Sequence, residues 1–283
     1  MKHNFPYQIN TGGKLIDLST PQVMAIVNVT PDSFYGISRI FTEKEILSHI
    51  ERALTEGATF IDVGAYSTRP QAVPISENEE FERLQSPLRA IRKHFPDVIL
   101  SVDTFRSGIA RYVVEEFGVQ MINDVSGGTL DDNMFETIAD LSIPYVLMHM
   151  RGTPQTMQQH TDYENLMSEI IHFFEKRVSQ LIHLGVKDII LDPGFGFAKT
   201  LDQNYELLSK MSYLKEFSFP LLVGISRKSM IYKFLETTPE LALNGTSVLH
   251  TLALLNGANI LRVHDVKQAV ETIRIVQKHL NQQ

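Results

Sequence analysis

Eight apolar stretches of this 283-residue chain each run out onto side chains that hydrogen-bond or carry charge. In order these are Asn28, Asp62, Asp103, Asn123 with Asp124, His149 with Arg151, Asp192, Arg227 with Lys228, and Arg262 with His264. Asp103, Asn123, Asp192 and Lys228 offer acceptors and donors suited to a flat, nitrogen-rich heterocycle. A buried carboxylate can accept two N–H bonds from an aminopyrimidinone edge with charge-assisted strength. Arg69, Arg262 and His264 read as cationic donors, which suit phosphate or pyrophosphate. The residue types together imply a polyanion held beside a heterocycle. With no cysteine in the chain, disulfides and thiolate chemistry are excluded.

Taken singly, each residue has a structural alternative. Asn28 could stabilise a turn ahead of Thr30 and Pro31, and Asp192 could make an Asx-turn before Pro193 and Gly194. Lys228 could be a surface lysine and His264 a satisfied structural histidine. Met148 and Phe197 could be core residues as readily as apolar walls against a flat ring. One polar strand end often does no more than cap the next helix. Eight such ends on one rim point instead to a small-molecule site.

That rim requires particular elements beneath it. The strand candidates are residues 23–29, 58–64, 98–104, 119–125, 144–150, 188–194, 220–226 and 259–265. They are rich in Val, Ile, Leu and Met with little alternation, as parallel strands covered on both faces are. Segments of helical period lie between and after them, at 42–57, 76–95, 106–117, 132–141, 163–184, 201–217, 241–256 and 266–280, with a short extra helix near 228–235. Ser76 and Glu79 have capping-box spacing, and Gly57, Gly118, Gly185 and Gly257 fall where helices should stop. Eight strand–helix units in one domain predict a (β/α)8 TIM barrel, whose active site lies at the C-terminal ends of its strands. A doubly wound open sheet ranks second, because no G-x-G-x-x-G follows the first strand. Residues 1–20 read as an N-terminal extension over the barrel's bottom, and 21–283 as the barrel domain.

Bulk properties narrow the function classes. The chain is 43% hydrophobic with a formal charge of −7, and no long Lys/Arg run suggests a nucleic-acid surface. No stretch approaches the roughly 20 apolar residues of a membrane span. The first ten residues lack the apolar core of a secretory signal. A soluble cytoplasmic protein without nucleic-acid or membrane partners is expected.

The ordered motifs resemble those of dihydropteroate synthases. The stretch AIVNVTPDSF at 25–34 is similar to that family's first signature, and GATFIDVG at 57–64 with STRP at 67–70 to its second. SVDT at 101–104, INDVSG at 122–127, LMHM at 147–150, DPGFGF at 192–197, GISRKS at 224–229 and RVH at 262–264 follow in the family's order. The resemblance implies that Asn28 binds Mg2+ through its amide oxygen, with pyrophosphate and water completing the shell. It implies that Asp103, Asn123, Met148, Asp192, Phe197 and Lys228 form the pterin pocket. Arg69, Arg262 and His264, with Asn28, would hold pyrophosphate, and Thr68, Arg69, Pro70 and Ser229 would hold p-aminobenzoate. Asp32, on the first loop, would steady a cationic intermediate.

The implied reaction is alkyl transfer without a covalent nucleophile. The amine of p-aminobenzoate displaces pyrophosphate from 6-hydroxymethyl-7,8-dihydropterin pyrophosphate. A homodimer is implied by the same analogy. Two loops depart from the family pattern: Ala65 and Tyr66 stand where many members have Gly and Glu, and residues 35–39 replace a Ser-Asp-Gly-Gly run. A pterin-dependent methyltransferase domain and a binding-only paralogue are the competing readings. Ser67–Thr68–Arg69–Pro70 and Arg262 with His264 favour the synthase over the methyltransferase, and joint retention of Asn28, Arg69, Lys228, Arg262 and His264 counts against the binding-only paralogue.

Overall fold

A computed structural model describes residues 7–30, 42–68 and 72–282. A hairpin of β1 (Gln8–Thr11) and β2 (Lys14–Asp17) opens the described chain. The eight strands that follow are β3 (Gln22–Asn28), β4 (Phe60–Gly64), β5 (Ile99–Asp103), β6 (Met121–Asp124), β7 (Tyr145–Met148), β8 (Ile189–Asp192), β9 (Leu222–Val223) and β10 (Ile260–Val263). They pair in parallel in the order β8-β7-β6-β5-β4-β3-β10-β9. Leu191 bridges Leu221 in parallel, and the Leu191 amide donates to the Pro220 carbonyl at 2.9 Å, which brings the two ends together. The predicted (β/α)8 barrel is the observed one.

The helices fall where the 3.6-residue period placed them, except that the 201–217 segment is α-helical only to Lys210 and continues as 3-10 helix over Met211–Phe217. They are α1 (Glu43–Thr55), α2 (Glu77–His94), α3 (Ser107–Phe117), α4 (Met134–Leu141), α5 (Leu166–His183), α6 (Leu201–Lys210), α7 (Ser229–Tyr232), α8 (Leu243–Leu255) and α9 (Val266–Leu280). Thr42 with Glu45, and Thr200 with Gln203, form full capping boxes. The box expected at Ser76 forms by half. Ser76 accepts from the Glu79 amide, but the Glu79 carboxylate turns to Arg83 four residues on, at 2.5 Å. A guanidinium one helical turn away outcompetes the neutral backbone N–H for that carboxylate.

Strands that look uniformly apolar in sequence are divided by the fold. Val23, Ala25, Val27, Ile61, Val63, Leu100 and Val102 belong to the cluster shared with the helices. Their alternates Met24, Phe60, Ile99, Met121, Val146, Ile190, Leu222 and Ile260 form a separate cluster inside the barrel. Side chains of a strand point alternately to its two faces, so one run supplies both layers. Ile9, Ile16 and Leu18 join that inner cluster, so the N-terminal hairpin stops the barrel from below. Asn259 fastens it there by donating to the Leu18 carbonyl at 3.0 Å and accepting from the Leu221 amide at 2.9 Å. With the bottom sealed by hydrocarbon, polar inward positions are left at the top.

Candidate active site at the C-terminal ends of the strands

Two residues beyond the inner apolar layer, the same strand faces turn polar. Arg262 reaches across the barrel to two carboxylates. Its Nε donates to Asp62 Oδ2 at 2.7 Å and its Nη2 to Asp103 Oδ2 at 2.8 Å. Asn123 Nδ2 donates to the same Asp62 oxygen at 3.0 Å. Asp62 is fully buried, and its other oxygen has no hydrogen-bond partner among the described residues. Such a network is costly to bury, and an apolar layer would stabilise the barrel as well or better. Loss of water pushes the Asp103 carboxyl up; Arg262 opposes this, but the carboxylates of Asp62, Glu80 and Asp124 add to the rise, to about 7.

Asp192, at the end of β8, makes the Asx-turn that its sequence suggests: Oδ1 accepts from the Gly194 amide at 2.8 Å. The turn it starts, residues 193–198, is held by side chains from three directions. Lys228 Nζ donates to the Phe195 carbonyl at 2.5 Å and lies 4.6 Å from the Phe197 ring centre. Asn204 Oδ1 accepts from the Gly196 amide at 2.6 Å, and the Tyr163 hydroxyl donates to the Ala198 carbonyl at 2.9 Å. Met148 and Phe197 are buried together with Val125, Met150 and Met157, an apolar wall beside the charged network. Burial raises the Asp192 carboxyl, which the charges of Lys228, Arg262 and Lys199 oppose. Burial likewise lowers the Lys228 ammonium to about 8, against the pull of Asp192. Asp103, Asn123, Met148, Asp192, Phe197, Lys228 and Arg262 are thus brought to one place, as the sequence implied.

Other expected residues are placed differently. Asn28 is half-buried at the end of β3, with Gly64 and Asp103 packed beside it. Thr68 and Ser229 are half-buried on the loop after β4 and at the start of α7. Asp32, Arg69 and Pro70 lie outside the described residues. His264 was expected to be a cationic donor. Burial, with the nearby charge of Arg262, brings its imidazole down to about 4, so it is neutral at pH 7, with Nδ1 3.2 Å from Ser226 Oγ. Arg262 was expected to grip phosphate, yet two of its nitrogens are engaged by carboxylates.

Some strand-end residues leave the rim. Asp124 points the opposite way from Asn123 and accepts from Tyr145 Oη at 2.6 Å and from the amides of Ser126 and Gly128. Arg227 turns to Asp265 at 2.8 Å, and Arg151 pairs with Glu169 and covers the Tyr163 ring. Two residues at the site had no assigned role from sequence. Asp62 was visible as a strand end, but its arginine partner lies 200 residues away. Lys199, 3% exposed, gave no signal, because a lysine just before a helix reads as solvated.

Comparison with known proteins agrees with this geometry. A family model described as pterin binding enzyme matches residues 24–264. The dihydropteroate synthase of Haemophilus influenzae is 37% identical over 97% of this chain and 99% of its own length. That of Escherichia coli K12 is 39% identical over 95% of each. Among solved structures, the Yersinia pestis dihydropteroate synthase in complex with a sulfonamide drug superposes with a TM-score of 0.91 at 40% identity, covering 97% of this chain and 99% of that one. The Xanthomonas albilineans enzyme with 4-aminobenzoic acid gives 0.89 at 34% identity, covering 97% and 98%. With the matched segment running from β3 to the end of β10, the chain belongs to the pterin-binding enzyme family, among its dihydropteroate synthases.

Proposed function

We infer that this chain joins 6-hydroxymethyl-7,8-dihydropterin pyrophosphate to p-aminobenzoate, releasing pyrophosphate and 7,8-dihydropteroate. The observation that carries the reading is the polar set at the mouth of a barrel otherwise filled with hydrocarbon, in a chain that matches synthases nearly end to end. Its members feel one another's charge: Lys228 and Arg262 act on Asp192, and Asp103 acts on Lys228.

In this reading Asp103, Asn123 and Asp192 accept and donate along the pterin edge, and Lys228 donates to its ring. Met148 and Phe197 flank the flat system. Arg69, His264 and the Arg262 Nη1 group are assigned to the pyrophosphate. Thr68, Arg69, Pro70 and Ser229 orient p-aminobenzoate so that its amine meets the exocyclic carbon. The C–O bond breaks with its electron pair leaving on pyrophosphate. The nitrogen lone pair forms the C–N bond, and the new ammonium gives its proton to solvent. Asp32 is assigned to steadying positive charge on the carbon.

Mg2+ fits this donor set in one way. Asn28, at the end of β3, offers a hard amide oxygen. Among the described residues, no group of three or more His, Asp or Glu is placed to cage a cation. Substrate oxygens and water would therefore complete its shell. When bound, the ion would neutralise charge on the departing pyrophosphate. Calorimetry should find weak Mg2+ binding to the protein alone and much tighter binding with pyrophosphate present; equal affinity in both would remove Asn28 from this role.

We also assign the chain to a homodimer. α8 is apolar around its circumference: Leu249, Ala253 and Leu254 face the core, while Val248, Leu252 and Leu255 are exposed, as is Ile275 on α9. No helix among the described residues is long and apolar enough to cross a membrane.

The decisive experiment incubates the purified chain with both substrates and Mg2+ and follows dihydropteroate and pyrophosphate. Equal amounts of the two products are expected. Pterin binding without product would leave a binding-only paralogue, and methyl transfer to a corrinoid would replace the synthase reading.

A further inference from the structure

Lys199 lies 3% exposed at the base of the 193–198 turn, one residue before the N-cap of α6. Its Nζ donates to the Gly194 carbonyl at 2.9 Å and to the Phe197 carbonyl at 3.1 Å, and lies 3.0 Å from His149 Nδ1. Burial and the charges of Lys199 and Arg151 hold His149 neutral, and Nδ1 is its acceptor nitrogen because the ammonium it faces at 3.0 Å has only donors. Three buried acceptors thus converge on one point, and an ammonium is the side-chain group with three donors and no acceptor to match them.

The acceptors are not incidental to the pocket. Gly194 supplies the amide that fixes Asp192 Oδ1, and Phe197 is the ring beneath Lys228. His149 continues the strand that carries Met148, and its amide donates to the Asp192 carbonyl at 2.9 Å. The turn also passes so close to β7 that a Cβ on Gly194 would lie 2.0 Å from the His149 carbonyl oxygen. Lys228 and Lys199 therefore hold the same turn, one at Phe195 and the other at Gly194 and Phe197. For stability alone, burying a second ammonium here is a poor solution, since apolar packing avoids its desolvation. Burial brings the Lys199 ammonium itself down to about 7, and in its charged form it favours the ionised Asp192 carboxylate that burial opposes.

We propose that Lys199 is a positioning residue for the heterocycle pocket, holding the Gly194–Phe197 turn so that the Asp192 carboxylate and the Phe197 ring face the bound pterin. The proposal rests on the reading of that pocket as a pterin site, and the controls below separate the two. The probe is free 6-hydroxymethylpterin, measured by calorimetry on the full chain.

Lys199→Met keeps the length and apolar stem but removes all three donors. Its pterin affinity should fall roughly tenfold or more, because three buried acceptors lose their partner. Its KM for p-aminobenzoate at saturating pterin pyrophosphate should stay within about twofold, since that subsite is built on other loops. Lys199→Cys, alkylated with 2-bromoethylamine in denaturant and refolded, restores an ammonium at the same reach, and modification is confined to that site because the chain has no other cysteine. Recovery of pterin affinity is expected. His149→Leu provides a milder test: removing one acceptor, it should weaken pterin binding by roughly threefold or more.

Tight pterin binding by wild type and by folded Lys199→Met and His149→Leu alike would overturn the role of Lys199 while leaving the pocket reading intact. So would an equal rise in both substrates' KM, or failure of the refolded aminoethyl-cysteine protein to regain affinity. Absence of pterin binding by the wild-type chain would overturn the pocket reading, and this inference with it.

Discussion

A carboxyl group inside a barrel must choose between its proton and its partners, and Asp103 is balanced between them. Its ordinary value is 3.8, and the fold raises it to about 7 despite an Arg262 nitrogen at 2.8 Å. Between those values the folded chain holds a proton that the unfolded chain has released. This contribution to stability is therefore present at low pH and lost as pH rises through about 7. Asp103→Asn should remove that part of the fall in melting temperature, giving a flatter profile than wild type between about pH 4 and 7. Pterin affinity should move the opposite way, because the pterin's N–H donors require the ionised carboxylate. Wild-type affinity should strengthen as pH rises through about 7, and that component should vanish in Asp103→Asn. Parallel profiles for the two proteins would rule out Asp103 as the titrating group.

Elements carry such residues only if their turns can pass one another, and two glycines separate the steric demand from the conformational one. Gly118 ends α3 with φ 60° and has nothing within 4 Å of where a Cβ would stand. Gly194 has φ 72° and would place a Cβ 2.0 Å from the His149 carbonyl. Gly118→Ala should cost only the left-handed penalty of about 1–2 kcal/mol. Gly194→Ala should cost that and, in addition, the displacement of a backbone, and it should weaken pterin binding as well. Urea midpoints of the two variants check this; equal losses would mean that the turn moves freely. Helix limits were largely legible at this scale because caps and periods are local. The half-formed box at Ser76 was not, because Arg83 competes for Glu79 in a way that spacing alone does not disclose.

At the scale of the molecule, one end of the barrel is stopped with hydrocarbon and the other is open to chemistry. The hairpin residues Ile9, Ile16 and Leu18 complete the inner apolar cluster, so hydrocarbon closes the barrel below and the polar network sits above. The outer surface has a comparable asymmetry in the apolar face of α8 and α9, where Val248 is 52% and Ile275 70% exposed. If that face joins two copies, Val248→Glu with Ile275→Glu should convert a dimer to a monomer, because two buried like charges on each side oppose association. Light scattering would show the change in mass, and pterin affinity should be unaltered since both residues lie outside the barrel mouth. A wild-type chain that is already monomeric would remove the assignment.

The apolar runs, the helix periods and the ordered polar strand ends were sufficient in the sequence itself to define a (β/α)8 barrel and to bring Asp103, Asn123, Asp192, Lys228 and Arg262 to its rim. These are properties of short windows, where period and spacing act directly on the backbone. The direction and partner of each side chain were decided elsewhere. Asn123 and Asp124 are neighbours in the chain, yet one enters the network and the other caps a loop behind the strand, because adjacent residues of a strand face opposite ways. Arg262 could be read as a phosphate donor until closure of the barrel brought Asp62 and Asp103 against it. Lys199 carries no signal in the sequence, yet two backbone carbonyls and His149 surround it in the fold. Partner choice across such distances depends on which surfaces the closed sheet brings into contact, and no local pattern encodes that before the strands have paired.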